Sequence, residues 1–399
     1  MKKYLIGIGA IASAALIVMS ILAPQAQAGS EDFTGSCLFR GSRTAGIGRL
    51  TDGSYQGAWQ AADDFSYVEI FCPELPGGIM VAWQNKPGYW FMLGSDDGAV
   101  WKAVRYVADD GYKHQYVSLE QSGYHYLRIM MPRLHGEAFS ISEIKLHPKG
   151  QIPDDIQIWQ PAVSDARLMV LSAHADDESV FFSGILPTYA AERGEDTVVV
   201  YMAANESHRA SEALSALWAA GVRNYPVFAP FPDQYSETME DAARFWGGYD
   251  AVVEYLAGQI RRFQPEVVLT HDLGGEYGHG AHMLTAAAAL DAADLAADPG
   301  SSAESAALYG AWDLPKLYLH LYGENRIELD FNTPLQAFGG LTAWQAAELS
   351  LSQHRSQLHW PVVRVHSSGK YAANVYGLAR TSVGPDSIGG DLFENIPDQ

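Results

Sequence analysis

Leu168-Met-Val-Leu-Ser-Ala173, followed at once by His174-Ala175-Asp176-Asp177-Glu178, decides the reading of this 399-residue chain. A short continuous apolar run bounded by polar residues reads as a strand buried on both faces, the kind found in parallel sheets. One imidazole and three carboxylates stand just past its carboxyl end. In open α/β sheets that edge is where ligands bind. Four ionisable groups there are costly unless paired, solvated or bound to metal. A His and an Asp three apart on such a turn can both reach one divalent ion. That leaves the carboxylate between them, Asp176, free to act as a base.

The pattern around this stretch extends the reading. Apolar runs at 168–173, 197–203, 225–229, 267–271 and 316–321 alternate with predicted helices over 179–193, 206–220, 239–262 and 282–297. The alternation predicts an α/β domain over 163–396, Rossmann-like, with a mostly parallel sheet and helices on both faces. Residues 30–148 differ in texture. Short runs at 67–71, 79–83, 124–130 and 139–146 are separated by Pro76-Gly-Gly, Asp96-Asp-Gly and Asp109-Asp-Gly, which predicts a smaller β-sandwich. Between the two, 149–162 carries Gly150, Pro153 and Pro161 and reads as a linker.

Composition agrees. Hydrophobic residues make up 48% and charged residues 18%, which is globular, and the length favours two domains. Lys2-Lys3, an apolar run from Leu5 to Leu22 and Ala26-Gln27-Ala28 predict a signal peptide over 1–28, hence a secreted or periplasmic protein. An uncleaved membrane anchor is the alternative; after cleavage no stable membrane association is expected. Cleavage removes two lysines and no acid, taking the net charge from −21 to −23. So acidic a surface argues against nucleic acid as a partner. Cys37 and Cys72 are the two cysteines, and in an exported chain they predict one disulfide, worth about 3–4 kcal/mol on the chain-entropy account. Two buried thiols are the alternative.

A second cluster, Thr270-His271-Asp272-Leu-Gly-Gly-Glu276-Tyr277-Gly-His279-Gly-Ala-His282, follows another apolar strand and can share an edge with the first. His279 and His282 are three apart, a spacing that can put one imidazole on a metal and hold the other alongside. A His–Asp pair with a remote His leaves a coordination position for water, as in catalytic rather than structural zinc sites.

With both clusters in view, the segment from about Ala166 to Ile396 resembles the PIG-L/LmbE family of metal-dependent N-acetyl-sugar deacetylases. The family's His-Pro-Asp-Asp-Glu is matched by 174–178, with Ala175 in place of proline, and its His-x-x-His by His279 and His282. Its Arg-x-x-Glu followed by Gly is matched by Arg209, Glu212 and Gly221. The resemblance implies His174, Asp177 and His282 as zinc ligands, Asp176 as general base, and His279 as oxyanion stabiliser or acid. Another divalent ion fits the same ligands. The implied partner is an N-acetylated sugar or glycan. The alternatives are an amidase acting on another acylated amine, such as a cell-wall or thiol-conjugate fragment, and a non-catalytic carbohydrate-binding protein.

Plainer readings stand beside these. Glu178 can cap a helix starting near Ser179. Arg209 can pair with Glu212 one turn away, or reach a substrate oxygen. His208 and His271 read as structural or supporting groups, and either Asp272 or Glu276 can orient a ligand imidazole. Tyr376 and Arg380 either line the pocket or belong to a closing strand and loop. His354, His359 and His366 carry no ligand spacing. Residues 30–148 weakly resemble a galactose-binding-like sandwich, in which Trp59, Trp83, Trp90 or Trp101 would stack on sugars; the alternative is that these indoles are core.

Overall fold

A computed structural model describes residues 33–61, 63, 65–131, 139–150, 152–204 and 207–397. The predicted signal peptide lies outside the described residues. Among them, no helix is long and apolar enough to cross a membrane. Residues from Phe33 onward form one compact unit.

After a short helix α1 (Phe33–Ser36) come β1 (Leu38–Gly41), β2 (Trp59–Gln60), β3 (Tyr67–Phe71), β4 (Pro76–Asn85), β5 (Tyr89–Ser95), β6 (Lys102–Ala108), β7 (His114–Ser118), β8 (Tyr126–Met130) and β9 (Ser140–Pro148). They make two antiparallel sheets, β1-β3-β8-β5-β6 and β2-β9-β4-β7. Along β3 and β8 every second side chain is buried, so each strand gives one face to the sandwich core. Trp59, Trp83 and Trp90 are 0% exposed, which corrects the sugar-stacking reading for these three. Gln115 Oε1 accepts from both Trp83 Nε1 and Trp90 Nε1, each at 2.8 Å. Trp101 is half-buried and covers the Arg128 guanidinium, 4.0 Å from its ring.

Cys37 and Cys72 lie side by side in this core as two thiols, Sγ to Sγ 2.9 Å. The expected disulfide is not formed in this structure, although folding has brought the pair together across 35 residues.

The four-stranded sheet turns its outer face to the rest of the chain. The segment predicted as a linker is exposed over most of its length but anchored at three buried residues, 156, 157 and 159. Ile156 and Trp159 are core, and Gln157 bonds His114 Nδ1 (2.7 Å), Ser215 Oγ (3.0 Å) and Trp159 Nε1 (3.0 Å). Tyr112 stacks on Tyr225 at 4.6 Å. Burial pushes the His114 imidazole down to about 3.

The second layer system runs through β10 (Leu168–His174), α2 (Asp177–Val180), β11 (Thr197–Ala203), α3 (Ser207–Ala219), β12 (Val227–Phe228), α4 (Met239–Phe245), α5 (Tyr249–Phe263), β13 (Val267–Thr270), α6 (Gly280–Ala297), α7 (Ala303–Tyr309), β14 (Lys316–His320), β15 (Arg326–Glu328), α8 (Ala343–Leu351) and β16 (Val375–Thr381). The sheet order is β12-β11-β10-β13-β14-β16-β15. The first five strands are parallel, and β16 is antiparallel to both its neighbours. Alternate residues feed two cores: Leu168, Val170, Val199 and Tyr201 face one side, while Met169, Leu171, Val198 and Val200 face the other, with α5 and α6. Helices therefore cover both faces, as the continuous apolar strands require.

Two helices differ from expectation. The stretch 239–262 breaks into α4 and α5 at Gly247 and Gly248, whose φ of +85° and +114° lie outside helical space. The stretch 179–193 gives only the single turn of α2, then a π-helical segment, Leu186–Glu192. Pro187, near the start of that segment, lacks an N–H for a regular α ladder.

Candidate metal centre

The chain runs β10, β11, β12 outward in one direction, then returns to place β13 on the other side of β10. The strand order thus reverses between β10 and β13, and ligands bind open α/β sheets at such a reversal, beyond the carboxyl ends. Both sequence clusters stand there. His174 ends β10, Asp177 and Glu178 open α2, and His282 lies in the first turn of α6, capped by His279. Asp176, between strand and helix, has φ 157° and ψ −23°, a conformation that side-chain-bearing residues avoid.

His174 Nδ1 lies 3.2 Å from His282 Nε2 and 3.3 Å from Asp177 Oδ2; Asp177 Oδ1 is 3.4 Å from His282 Nε2. The edges of a tetrahedron with bonds of about 2.0–2.1 Å are about 3.3 Å, so the spacing of the three residues is compatible with one ion, with the two Asp177 contacts made by different oxygens. Two overlapping trios of potential ligands occur among the described residues, His174–His279–His282 and Asp177–His271–His282. His271 is engaged at both nitrogens: Nε2 accepts from Ala173 N at 2.9 Å, and Nδ1 donates to Glu276 at 2.9 Å.

Glu276 resolves the choice between supporting carboxylates. Fully buried, it accepts from Nδ1 of His271 (2.9 Å), His282 (2.7 Å) and His320 (2.6 Å). This fixes the His282 tautomer and turns its Nε2 to the site. Burial opposes the charge of Glu276, but the imidazoles hold it well below the usual carboxylate range. Asp177 is likewise held low, against burial, by His282 and His271. Against its own burial, His282 is pushed up to about 10 by Asp177 and Glu276.

Asp176 differs from its neighbour. Burial pushes it up to about 7, although Arg209 Nη2 stands 3.2 Å away. Arg209, on α3, also holds Asp233 and donates to Ala175 O at 2.8 Å. Its expected partner Glu212 instead binds Ser356, accepting from N at 2.9 Å and Oγ at 2.6 Å. Glu178, expected to cap a helix, instead accepts from His354 Nε2 at 2.6 Å.

A cavity of about 530 Å³ opens on the site. Its lining combines the ionisable groups His174, Asp176, Arg209, Asp233 and His279 with Tyr235, Tyr277, Gln357, Trp360, Val362 and Val363. Tyr376 and Arg380 are absent from it. Tyr376 is core, its hydroxyl donating to Ala373 O at 2.7 Å, and Arg380 pairs with Asp294 and Asp313. The closing-strand reading is the one observed, because β16 lies two strands beyond β13. Asp233 and Tyr235 escaped the sequence reading although they follow the end of β12, on the same edge. Trp360 offered no local signal.

Residues 169–293 match the family PIG-L, described as GlcNAc-PI de-N-acetylase. This stretch is a PIG-L domain. A 1D-myo-inositol 2-acetamido-2-deoxy-alpha-D-glucopyranoside deacetylase of Streptomyces avermitilis is 29% identical over 182 residues, 39% of this chain and 60% of that protein. The chain spans about three fifths of the length of such curated relatives. In solved structures, a conserved protein from Thermus thermophilus is 19% identical over 49% of this chain and 82% of its own, with a TM-score of 0.36. A chitosan-binding module of a chitosanase/glucanase from a Paenibacillus species is 15% identical over 30% of this chain and 99% of its own, with a TM-score of 0.26. The PIG-L match contains His174, Asp176, Asp177, Arg209, His279 and His282, and ends before the segment carrying Gln357 and Trp360.

Proposed function

We propose that the chain is an exported, zinc-dependent deacetylase that hydrolyses the N-acetyl amide of an amino sugar, within a glycan or glycoconjugate. The observation that carries this reading is the pairing, inside a PIG-L domain, of a ligand set with an independent carboxylate. His174, Asp177 and His282 would hold the ion, and Asp176 stands beside them on the cavity. When bound, a divalent ion supplies Lewis acidity and lowers the pKa of water toward ~7.

The chain's own groups do the rest. Asp176 accepts a proton as water adds to the amide carbon. The C–N bond then breaks, acetate leaves, and the proton passes to the amine. Arg209, bonded to both Asp176 and Asp233, holds the base in place. His279 Nδ1 accepts from Ala281 N at 3.3 Å, so a neutral His279 carries its proton on Nε2. That proton suits the developing oxyanion. Burial, reinforced by His174, pushes His279 down to about 2, which keeps it a neutral donor.

The test is acetate release by zinc-loaded protein from a panel of N-acetylglucosamine and N-acetylgalactosamine glycans. Asp176→Asn should lower kcat about 10²–10⁴-fold with metal content unchanged. No acetate from any member of the panel would defeat the reading; release from other acylated amines alone would favour a general metal amidase.

A further inference from the structure

The lining of the cavity has two sources. Its ionisable groups, with Tyr235 and Tyr277, lie within the PIG-L match, whereas Gln357, Trp360, Val362 and Val363 come from the segment 354–366, outside it. Trp360 on that segment is 55% exposed, yet lines the cavity with Val362 and Val363.

An indole left open in a loop would ordinarily be mobile, but this segment is pinned at several points. His354 Nε2 meets Glu178 at 2.6 Å, Ser356 meets Glu212, and Arg355 donates to Gly53 O of the sandwich layer. At its far end His366 stacks on Phe181, 5.5 Å between centroids and 7° between planes. Glu178 and Phe181 lie in and at the end of α2, directly after Asp176 and Asp177. The apolar wall is therefore fixed to the element that presents the base.

We propose that this pocket takes an oligosaccharide rather than a lone N-acetyl sugar, with the ring next to the acetamido sugar stacked on Trp360. The proposal rests on the deacetylase reading for the identity of the first ring. A cavity of about 530 Å³ falls in the range that encloses a ligand larger than a single pyranose. A pyranose ring presents a C–H face that an indole covers well, while its hydroxyls reach the polar rim. Trp360 with Val362 and Val363 gives the cavity an indole and aliphatic surface free of ionisable groups, and that second ring packs there.

Titration calorimetry on zinc-loaded Asp176→Asn protein separates binding from turnover. N,N′-diacetylchitobiose should bind about tenfold more tightly than N-acetylglucosamine, a ratio within reach of one aromatic stacking contact. Adding Trp360→Ala should bring the two affinities within about twofold, and Trp360→Tyr should keep most of the preference, since each ring contact carries it. Equal affinities before substitution, or a preference that survives Trp360→Ala, would overturn the proposal. Acetate release by the unsubstituted protein is scored separately. Trp360-dependent binding without release leaves this subsite standing and defeats the deacetylase reading; release with equal affinities does the reverse.

Discussion

Two buried knots in this molecule use the same construction to different ends. In the sandwich, Gln115 takes the N–H groups of Trp83 and Trp90 on one oxygen. In the α/β layer, Glu276 takes those of His271, His282 and His320 on two. Each satisfies ring donors that would otherwise be orphaned away from water, at a cost of about 1–3 kcal/mol apiece. The difference lies in what remains of each ring. An indole has no second nitrogen, so the Gln115 knot only seals a core. An imidazole has one, and the knot at Glu276 aims that of His282 at His174 and Asp177. The same hydrogen-bond economy becomes chemistry only where the held ring has a second polar atom and faces a cavity.

The sharpest way to break this contrast is Glu276→Gln. It keeps the shape, removes the charge and offers an N–H to a nitrogen that already carries one. Metal affinity, measured by competition with a chelator, should fall about 10–100-fold, as for other carboxylates that orient ligand imidazoles. An unchanged affinity would reduce Glu276 to packing. The counterpart is Gln115→Leu, which should cost about 2–6 kcal/mol in denaturant unfolding, since both indole N–H groups lose their acceptor. Its kcat/KM should not move, and a drop in activity at full folding would show that the sandwich core reaches the site.

The smallest expected effect concerns the seam between the two layer systems. His114 is held down to about 3 by burial, against 6.5 in the unfolded chain. Below pH 6.5 the unfolded chain therefore binds a proton that the folded chain does not, and stability falls with pH until about 3. Glu143, pushed up to about 8 by burial, acts oppositely between 4.5 and 8, because there the folded chain holds the extra proton. Comparison with His114→Gln isolates the first term. The stability gap between the two proteins should change by about 1.4 kcal/mol per pH unit as pH falls from about 6 to about 4. A constant gap would mean that the seam opens to water.

Much of this was legible before the structure. Strands at 168–173, 197–203 and 267–271 stood out because a strand buried on both faces must be apolar throughout. In the sandwich, β6 runs mostly exposed along a sheet edge, and β5 alternates in burial but not in polarity, since aromatic residues stand on both of its faces. In the predicted linker the anchoring by Ile156, Gln157 and Trp159 was not legible, because its prolines and glycine mark turns without saying what the side chains between them touch.

The sequence alone determined that two ionisable clusters follow two apolar strands. It also singled out His174, Asp176, Asp177, His279 and His282 as candidates, because spacing on a turn is a local property and the resemblance rests on the same local motifs. The tertiary structure decided which carboxylate orients His282, that Glu178 serves His354, that Tyr376 and Arg380 stand away from the cavity, and that Trp360 stands on it. Those outcomes depend on which strands become neighbours and on contacts such as Glu178 with His354, 176 residues apart. Local periodicity carries no record of such pairings; they are settled only when the whole chain has buried its apolar faces at once.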